Sequence, residues 1–462
     1  MAEIDPPRSP AHARHRLAWL DQLAYELFRA TGRSQLMQCL WLYDRDVNID
    51  ALVRTNERLA ALSFNRLIEP SPFPFGRPRW VKPAGAALPI ETSPAVLPRS
   101  QLLPWANQRA RAPIDPVQGP AWRMSVQRFD DGSTAVSTVG SHLVIDGMGA
   151  LLAIEAAANG IAVPSPYQPR GARLWLAGCV SDAWQILVDA PRTLAALARI
   201  ATTSGGSPAG PLKKPAIPAD DTRSDRPTVV DLPAVAVTIE AQAWDTCAQR
   251  LGGHANTLLP SFVAALASRL GRRRASDGTI NLLVPIDRRR GLNDDRALAI
   301  EFRSMTLSPE GLSTNLRPVK AALMALLRGT KELQTDTLAL LLPAIAWMPR
   351  TFATALVNRL FRYADELPVS CSNLGTLPEG LAYIDSAPCG RVMTRAVDVN
   401  VTRHDLERSH GHLVVVASCF GKMVSLCVEA YQLEPTPTTP ETLRVVTLQT
   451  LAEFGLDAMI DF

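Results

Sequence analysis

The stretch Gly140-Ser141-His142-Leu143-Val144-Ile145-Asp146-Gly147 decides how the rest of the chain is read. Residues 121–129 and 133–139 before it read as two strands around an Asp-Asp-Gly turn, a strong hairpin signal. Residues 148–158 after it, MGALLAIEAAA, are Ala- and Leu-rich and predict a helix. Asp146 is placed to cap that helix, and Gly147 allows a sharp turn that a Cβ would hinder. His142 therefore sits at a strand end, where a rigid scaffold can aim an imidazole into a cleft. A reference pKa of about 6.5 lets such a group take a proton near neutral pH and return it. The spacing alone serves two readings equally: a general base, or an incidental histidine beside a capped helix.

Both sides of this stretch mix helix and strand. His15 to Ala30 carries a helical stripe at Leu17, Leu20, Leu23, Ala24 and Leu27, and Ala51 to Leu62 repeats the pattern behind Asp50, read as its N-cap. Further on, 241–251, 257–270 and 319–327 predict helices, the last with Pro318 at its start. Residues 279–285 predict a strand, and 412–420 with 423–432 predict a hairpin closed at Gly421-Lys422. Between the halves, residues 202–227 are rich in Pro, Gly, Ser and charge, as in a linker or mobile crossover. The expected division is 1–201 as an N-terminal lobe, 202–227 as linker and 228–462 as a C-terminal lobe, two α/β lobes facing each other.

Composition narrows the function classes. Of 462 residues, 47% are apolar and 20% charged, enough for a sizeable core. A net charge of +4, with no stretch interleaving basic and aromatic residues, gives no sign of nucleic-acid binding. Seven cysteines (39, 179, 247, 371, 389, 419 and 427) form no Cys-x-x-Cys, which fits reduced thiols better than a disulfide framework. The first residues lack a signal peptide's basic start and apolar run, and the most apolar stretch, inside 336–350, is interrupted by Pro343 and falls short of the ~20 residues of a membrane span. A cytoplasmic protein is expected, one that can touch a membrane peripherally.

The motif and its surroundings resemble the condensation-domain superfamily, which includes nonribosomal peptide condensation domains, polyketide-associated acyltransferases and wax ester synthase/diacylglycerol acyltransferases. The resemblance covers nearly the whole chain. It is carried by LAWLDQLAYELFRATGRSQLMQ at 17–38, PRW at 78–80, APIDPVQGPAWRMSVQRFDDG at 112–132, the His142 motif, and SNLG at 372–375. The family usually has two successive histidines where this chain has Ser141-His142, the second being the one assigned to catalysis.

The resemblance implies two chloramphenicol-acetyltransferase-like lobes with the active site and a substrate tunnel at their junction. It implies that His142 is the general base and removes a proton from a hydroxyl or amine, which then attacks an acyl thioester. Coenzyme A or a phosphopantetheinyl carrier protein would present the thioester as co-substrate, with no other cofactor and no metal. Asp146 in this family is structural and pairs with an arginine of the second lobe. The family places that arginine four residues after a proline, which in Val-Pro-Ile-Asp-Arg-Arg-Arg-Gly at 284–291 is Arg289. Read from the residues, the same arginine run also suits a solvated strand end or a phosphate-attracting patch. If 283–289 continues as strand, residues 283, 285, 287 and 289 share one face. Ser372 and Asn373 are candidates for contacts to the oxyanion or the acceptor, although an ordinary polar strand end is the blander reading of Ser372.

SNLG favours the acyltransferase branch, so ester formation in lipid or secondary-metabolite biosynthesis is expected ahead of amide formation. A free-standing amide-forming condensation enzyme and a catalytically silent binder of acyl groups or carrier proteins are the alternatives. Among weaker features, Arg272, Arg273 and Arg274 read as a solvated loop or a phosphate contact. His410 and His412 read as a strand start, with no Cys or carboxylate cluster to complete a metal site. The segments 174–187 and 337–349 read as core packing, or as a lipid-tunnel or membrane-facing surface. Walker A, Gly-x-Gly-x-x-Gly and His-Glu-x-x-His motifs are absent, and Ser207 in GGSPA misses the nucleophile-elbow pattern.

Overall fold

Runs of apolar and β-branched residues become thirteen strands in a computed structural model that describes residues 15–72, 76–84, 87–163, 165–169, 175–203, 228–328, 367–432 and 437–460. In chain order they are β1 Ser34–Tyr43, β2 Leu67–Glu69, β3 Arg79–Val81, β4 Glu91–Thr92, β5 Trp122–Arg128, β6 Thr134–Ser141 and β7 Ala234–Glu240. There follow β8 Ile280–Asp287, β9 Ile300–Leu307, β10 Val369–Thr376, β11 Arg391–Val399, β12 His412–Phe420 and β13 Met423–Tyr431. One sheet runs β11-β1-β6-β5-β4, a second runs β7-β13-β12-β10-β8-β9, and β2 pairs with β3. Each large sheet has its own core. Trp41, Leu52, Val136, Leu151 and Ile154 pack the first sheet against helices Ile49–Ala61 and Gly147–Ala158. Phe262, Val263, Leu266, Val415, Leu426 and Phe454 pack the second against helices Ala255–Arg269 and Pro440–Glu453.

The division at 202–227 does not separate the sheets cleanly. β11 belongs by sequence to the second half, yet it pairs antiparallel with β1, from Ser34↔Val399 to Leu42↔Arg391. β1 is almost wholly buried, so it needs a hydrogen-bonding neighbour on each edge. β6 supplies one and β11 the other. A small cluster of Leu40, Met393, Ala236 and Cys427 then joins the two sheets. Apart from Thr202 and Thr203, which end the helix Trp175–Thr203, the expected linker lies outside the described residues, as do Ser207 and the segment 337–349.

Several local expectations change. Helix Ile49–Ala61 starts before Asp50, and its cap is Asn48, whose side chain accepts the Ala51 N–H at 3.1 Å. The hairpin of β5 and β6 forms as expected, turning through Gly132 at φ +83°. Core packing fails for part of 174–187: Val180, Trp184 and Leu187 lie on helix Trp175–Thr203 and are 70%, 68% and 66% exposed. Arg272 is no solvated residue. It is buried and donates to the carbonyls of His410 and Pro368. Among the described residues no helix is long and apolar enough to cross a membrane.

Candidate active site

His142 lies one residue beyond β6, its backbone N–H bonded to the Gln35 carbonyl of β1 at 3.0 Å. This fixes the turn that carries the imidazole. The side chain lines a cavity of about 150 Å³ bounded by Met37, Phe64, Leu151, Ser372 and Val416, so both halves of the chain contribute to its walls. Burial lowers the imidazole's pKa below its ordinary value, and the nearby Asp146 carboxylate only partly opposes that shift. The imidazole is thus largely neutral at pH 7 and available as a proton acceptor.

Asp146 also borders the cavity, but its carboxylate is held by the protein itself. It is 1% exposed, and its Oδ1 accepts the Gly149 N–H at 2.8 Å, capping helix Gly147–Ala158. Arg289 grips the same carboxylate twice, Nε to Oδ1 at 3.1 Å and Nη2 to Oδ2 at 2.7 Å. The Ala299 N–H adds a fourth donor at 2.7 Å. The arginine's remaining capacity goes to the carbonyls of Asp294, Arg296 and Ala297. Such a bidentate, fully hydrogen-bonded pair compensates the desolvation of both charges.

The expected strand geometry around Arg289 does not hold. β8 ends at Asp287, and Arg289 lies in the following loop, where its backbone N–H bonds to the Asp287 carboxylate at 3.0 Å. Arg288 instead pairs with Glu301, 50% exposed. The glycine argument also shifts by two residues. Gly147 has no left-handed φ, and a Cβ there would meet only the Leu374 side-chain end at 3.2 Å. At Gly149 a Cβ would lie 2.7 Å from Arg289 Cζ and 2.8 Å from Ile145 Cγ1, so the close approach of the guanidinium requires that glycine.

Two residues that sequence reasoning missed hold the same loop. Asp21 is buried on helix Trp19–Thr31 and accepts the N–H groups of Ala297 and Leu298 at 3.0 and 2.8 Å. Arg66 is 1% exposed, donates to the Val144 carbonyl, the Asp295 carbonyl and the Tyr167 hydroxyl, and lies 4.0 Å over the Trp80 ring. It therefore ties the His142 turn to the loop bearing Arg289. The signal for Asp21 was present: an aspartate one turn beyond Leu17, inside an apolar helical stripe.

Ser372 and Asn373 lie on β10, and both reach the cavity. Asn373 is exposed and already engaged, its amide donating to Asn256 and accepting the Gly375 N–H. Ser141 is fully buried, and its hydroxyl accepts the Leu143 N–H at 3.3 Å. On β6 the cavity-lining residues are Thr138 and Gly140, so Ser141 alternates onto the opposite face. It shapes the turn and does not contact the cavity.

At the Ser34 end of β1, the end that also holds the His142 turn, the fold gathers carboxylates around His412, against expectation. Its Nε2 is 3.2 Å from Asp398 Oδ2 and 3.3 Å from Glu429 Oε1, three residues delivered by β11, β12 and β13. Burial alone would lower the imidazole's pKa. The hydrogen bonds and charges of the two carboxylates outweigh that and push it up to about 9, so His412 is a cation.

No family model and no curated protein matches this sequence. Solved structures do. The first condensation domain of the CDA synthetase is similar over 97% of this chain and 98% of its own, at 13% identity and a TM-score of 0.53. A mutant starter condensation domain of rhizomide synthetase, solved in complex with C8-CoA and Leu-SNAC, covers 96% of this chain and 94% of its own, at 14% identity and a TM-score of 0.53. What is shared at this identity is the architecture: the chain has the two-lobed α/β fold of the condensation-domain superfamily.

Proposed function

We propose that this protein transfers an acyl group from a thioester, carried by coenzyme A or a phosphopantetheinyl carrier protein, to a hydroxyl or amine. The observation that carries this reading is the neutral His142 imidazole in a cavity walled by both halves of a condensation-domain fold. His142 accepts the acceptor's proton as the oxygen or nitrogen attacks the thioester carbonyl. The tetrahedral intermediate then collapses, the C–S bond breaks, and the imidazolium returns the proton to the departing thiolate. Ser372 on the cavity wall is the first candidate donor to the oxyanion, and Asn373, whose amide nitrogen gives one of its two hydrogens to Asn256, is the second. Asp146 and Arg289 fix the turn and the facing loop and take no part in proton transfer.

Ester formation in lipid or secondary metabolism remains the expected chemistry from SNLG. Amide formation is supported by a different observation, that a structural neighbour was solved with Leu-SNAC, an amino-acid thioester. Purified protein given octanoyl-coenzyme A with panels of alcohols and of amines separates the two. Free thiol rising above background with one acceptor class supports acyl transfer and identifies the acceptor. No acceptor-dependent thiol with any coenzyme A or carrier-protein thioester overturns the reading and leaves a binding scaffold.

A further inference from the structure

Asp398, His412 and Glu429 converge from β11, β12 and β13 at the junction of the two large sheets. Their side chains are 13%, 14% and 6% exposed, so three ionisable groups share one largely dry place. The imidazole Nε2, 3.2 Å from Asp398 Oδ2 and 3.3 Å from Glu429 Oε1, carries a single N–H that cannot point squarely at both. Other donors to these carboxylates are few among the described residues. The Gln35 amide lies 3.4 Å from Asp398, and the Asp398 N–H gives Glu429 one bond of 3.1 Å. Arg33 acts on Asp398, and Arg395 on Glu429, through space; among the described residues neither forms an ion pair there.

The spacing fits a metal ion. A nitrogen and two carboxylate oxygens bound tetrahedrally at about 2.0–2.2 Å lie about 3.3–3.6 Å apart, close to both separations. Two carboxylates with a neutral imidazole balance a divalent cation, and the nitrogen favours zinc and its transition-metal neighbours over magnesium or calcium. Asp398 and Glu429 also line a cavity of about 400 Å³. Arg111 and Asp231, both exposed, stand on its wall, so it opens to solvent and gives an ion a way in and water a place to complete the coordination. The Gln35 amide and the Asp398 N–H hold the carboxylates as outer donors do in metal sites.

We propose that Asp398, His412 and Glu429 are the protein ligands of a zinc-class divalent ion that fastens the two sheets together. The ion takes the place of the Nε2 proton, which leaves to solvent as the nitrogen–metal bond forms. In the metal-free protein that proton serves the same junction. None of the three residues lines the His142 cavity, so the ion site holds whether or not the protein transfers acyl groups.

Purified whole protein, stripped with EDTA, is titrated with zinc chloride by calorimetry and with cobalt chloride by absorption spectroscopy. One zinc binds per chain with a Kd of about 1 µM or tighter, and the melting temperature rises with zinc concentration. Bound cobalt gives visible bands without the near-ultraviolet band of a thiolate ligand. Asp398→Asn and Glu429→Gln, which keep the shape and remove the charge, each weaken zinc at least about tenfold. No zinc-dependent heat and no rise in melting temperature in the wild type overturns the proposal. So does a thiolate band, which would place the ion on cysteine. Neither result needs a variant. Unchanged zinc affinity in either variant overturns it as well, because the ion would then sit elsewhere.

Discussion

Two buried ion clusters among the described residues are built on opposite principles. Around Asp146 one carboxylate meets one guanidinium and two backbone donors. Around His412 one imidazole stands between two carboxylates, and its charge depends on pH. The first cluster fastens the β8–β9 loop of one sheet to the His142 turn of the other. The second fastens β11, a strand of the first sheet, to β12 and β13 of the second. A carboxylate–guanidinium pair thus stands beside the His142 turn, and an imidazole between two carboxylates stands at the sheet-to-sheet contact.

Asp146→Ala gives the largest expected effect on stability. It removes the helix cap and strands Arg289 in the interior, for a loss of roughly 3–5 kcal/mol and a large fall in melting temperature. A variant that melts like the wild type while losing all activity would move Asp146 from structure into the chemistry.

The His412 cluster breaks with pH instead. Its imidazole binds a proton more tightly folded than unfolded, so its contribution is fully present below the unfolded pKa of about 6.5. That contribution is lost as pH rises through the folded value of about 9. Urea denaturation between pH 6 and pH 10 should show stability falling by up to about 3 kcal/mol, a slope that His412→Gln flattens. An unchanged slope in His412→Gln would show that other groups carry it.

A finer comparison uses the two glycines beside Asp146. Gly149→Ala places a methyl group against Arg289 and Ile145 and should cost about 1–3 kcal/mol. Gly147→Ala meets only a movable Leu374 terminus and should cost less than about 1 kcal/mol. Chemical denaturation of the two variants side by side checks the ranking, and equal losses would contradict the packing described for Arg289.

How far these features could be read from the sequence follows their range along the chain. The hairpin, the His142 turn and the Asp146 cap are local, set by residues within a few positions of one another. Arg289 was found through resemblance, since no local pattern separates it from Arg288 and Arg290. Nothing near residues 391–399 says that this strand completes a sheet begun at residue 34, because the requirement comes from the open edge of β1. The trio of Asp398, His412 and Glu429 was hidden for the same reason, being assembled by three strands from two sheets. Asp21 was legible but unread: a charge within an apolar stripe that satisfies two backbone N–H groups of a distant loop.

The central claim concerns His142, and one measurement tests it most directly: acceptor-dependent thiol release from an acyl thioester by the wild type and His142→Ala, followed from pH 5 to pH 9. The wild-type rate should rise through a pKa below 6.5 and then level, because burial disfavours the imidazolium. His142→Ala should be slower by roughly 10²–10⁴-fold and lack that rise, with its melting temperature close to wild type. Equal thiol release by the two proteins, with the same pH dependence, would contradict the account.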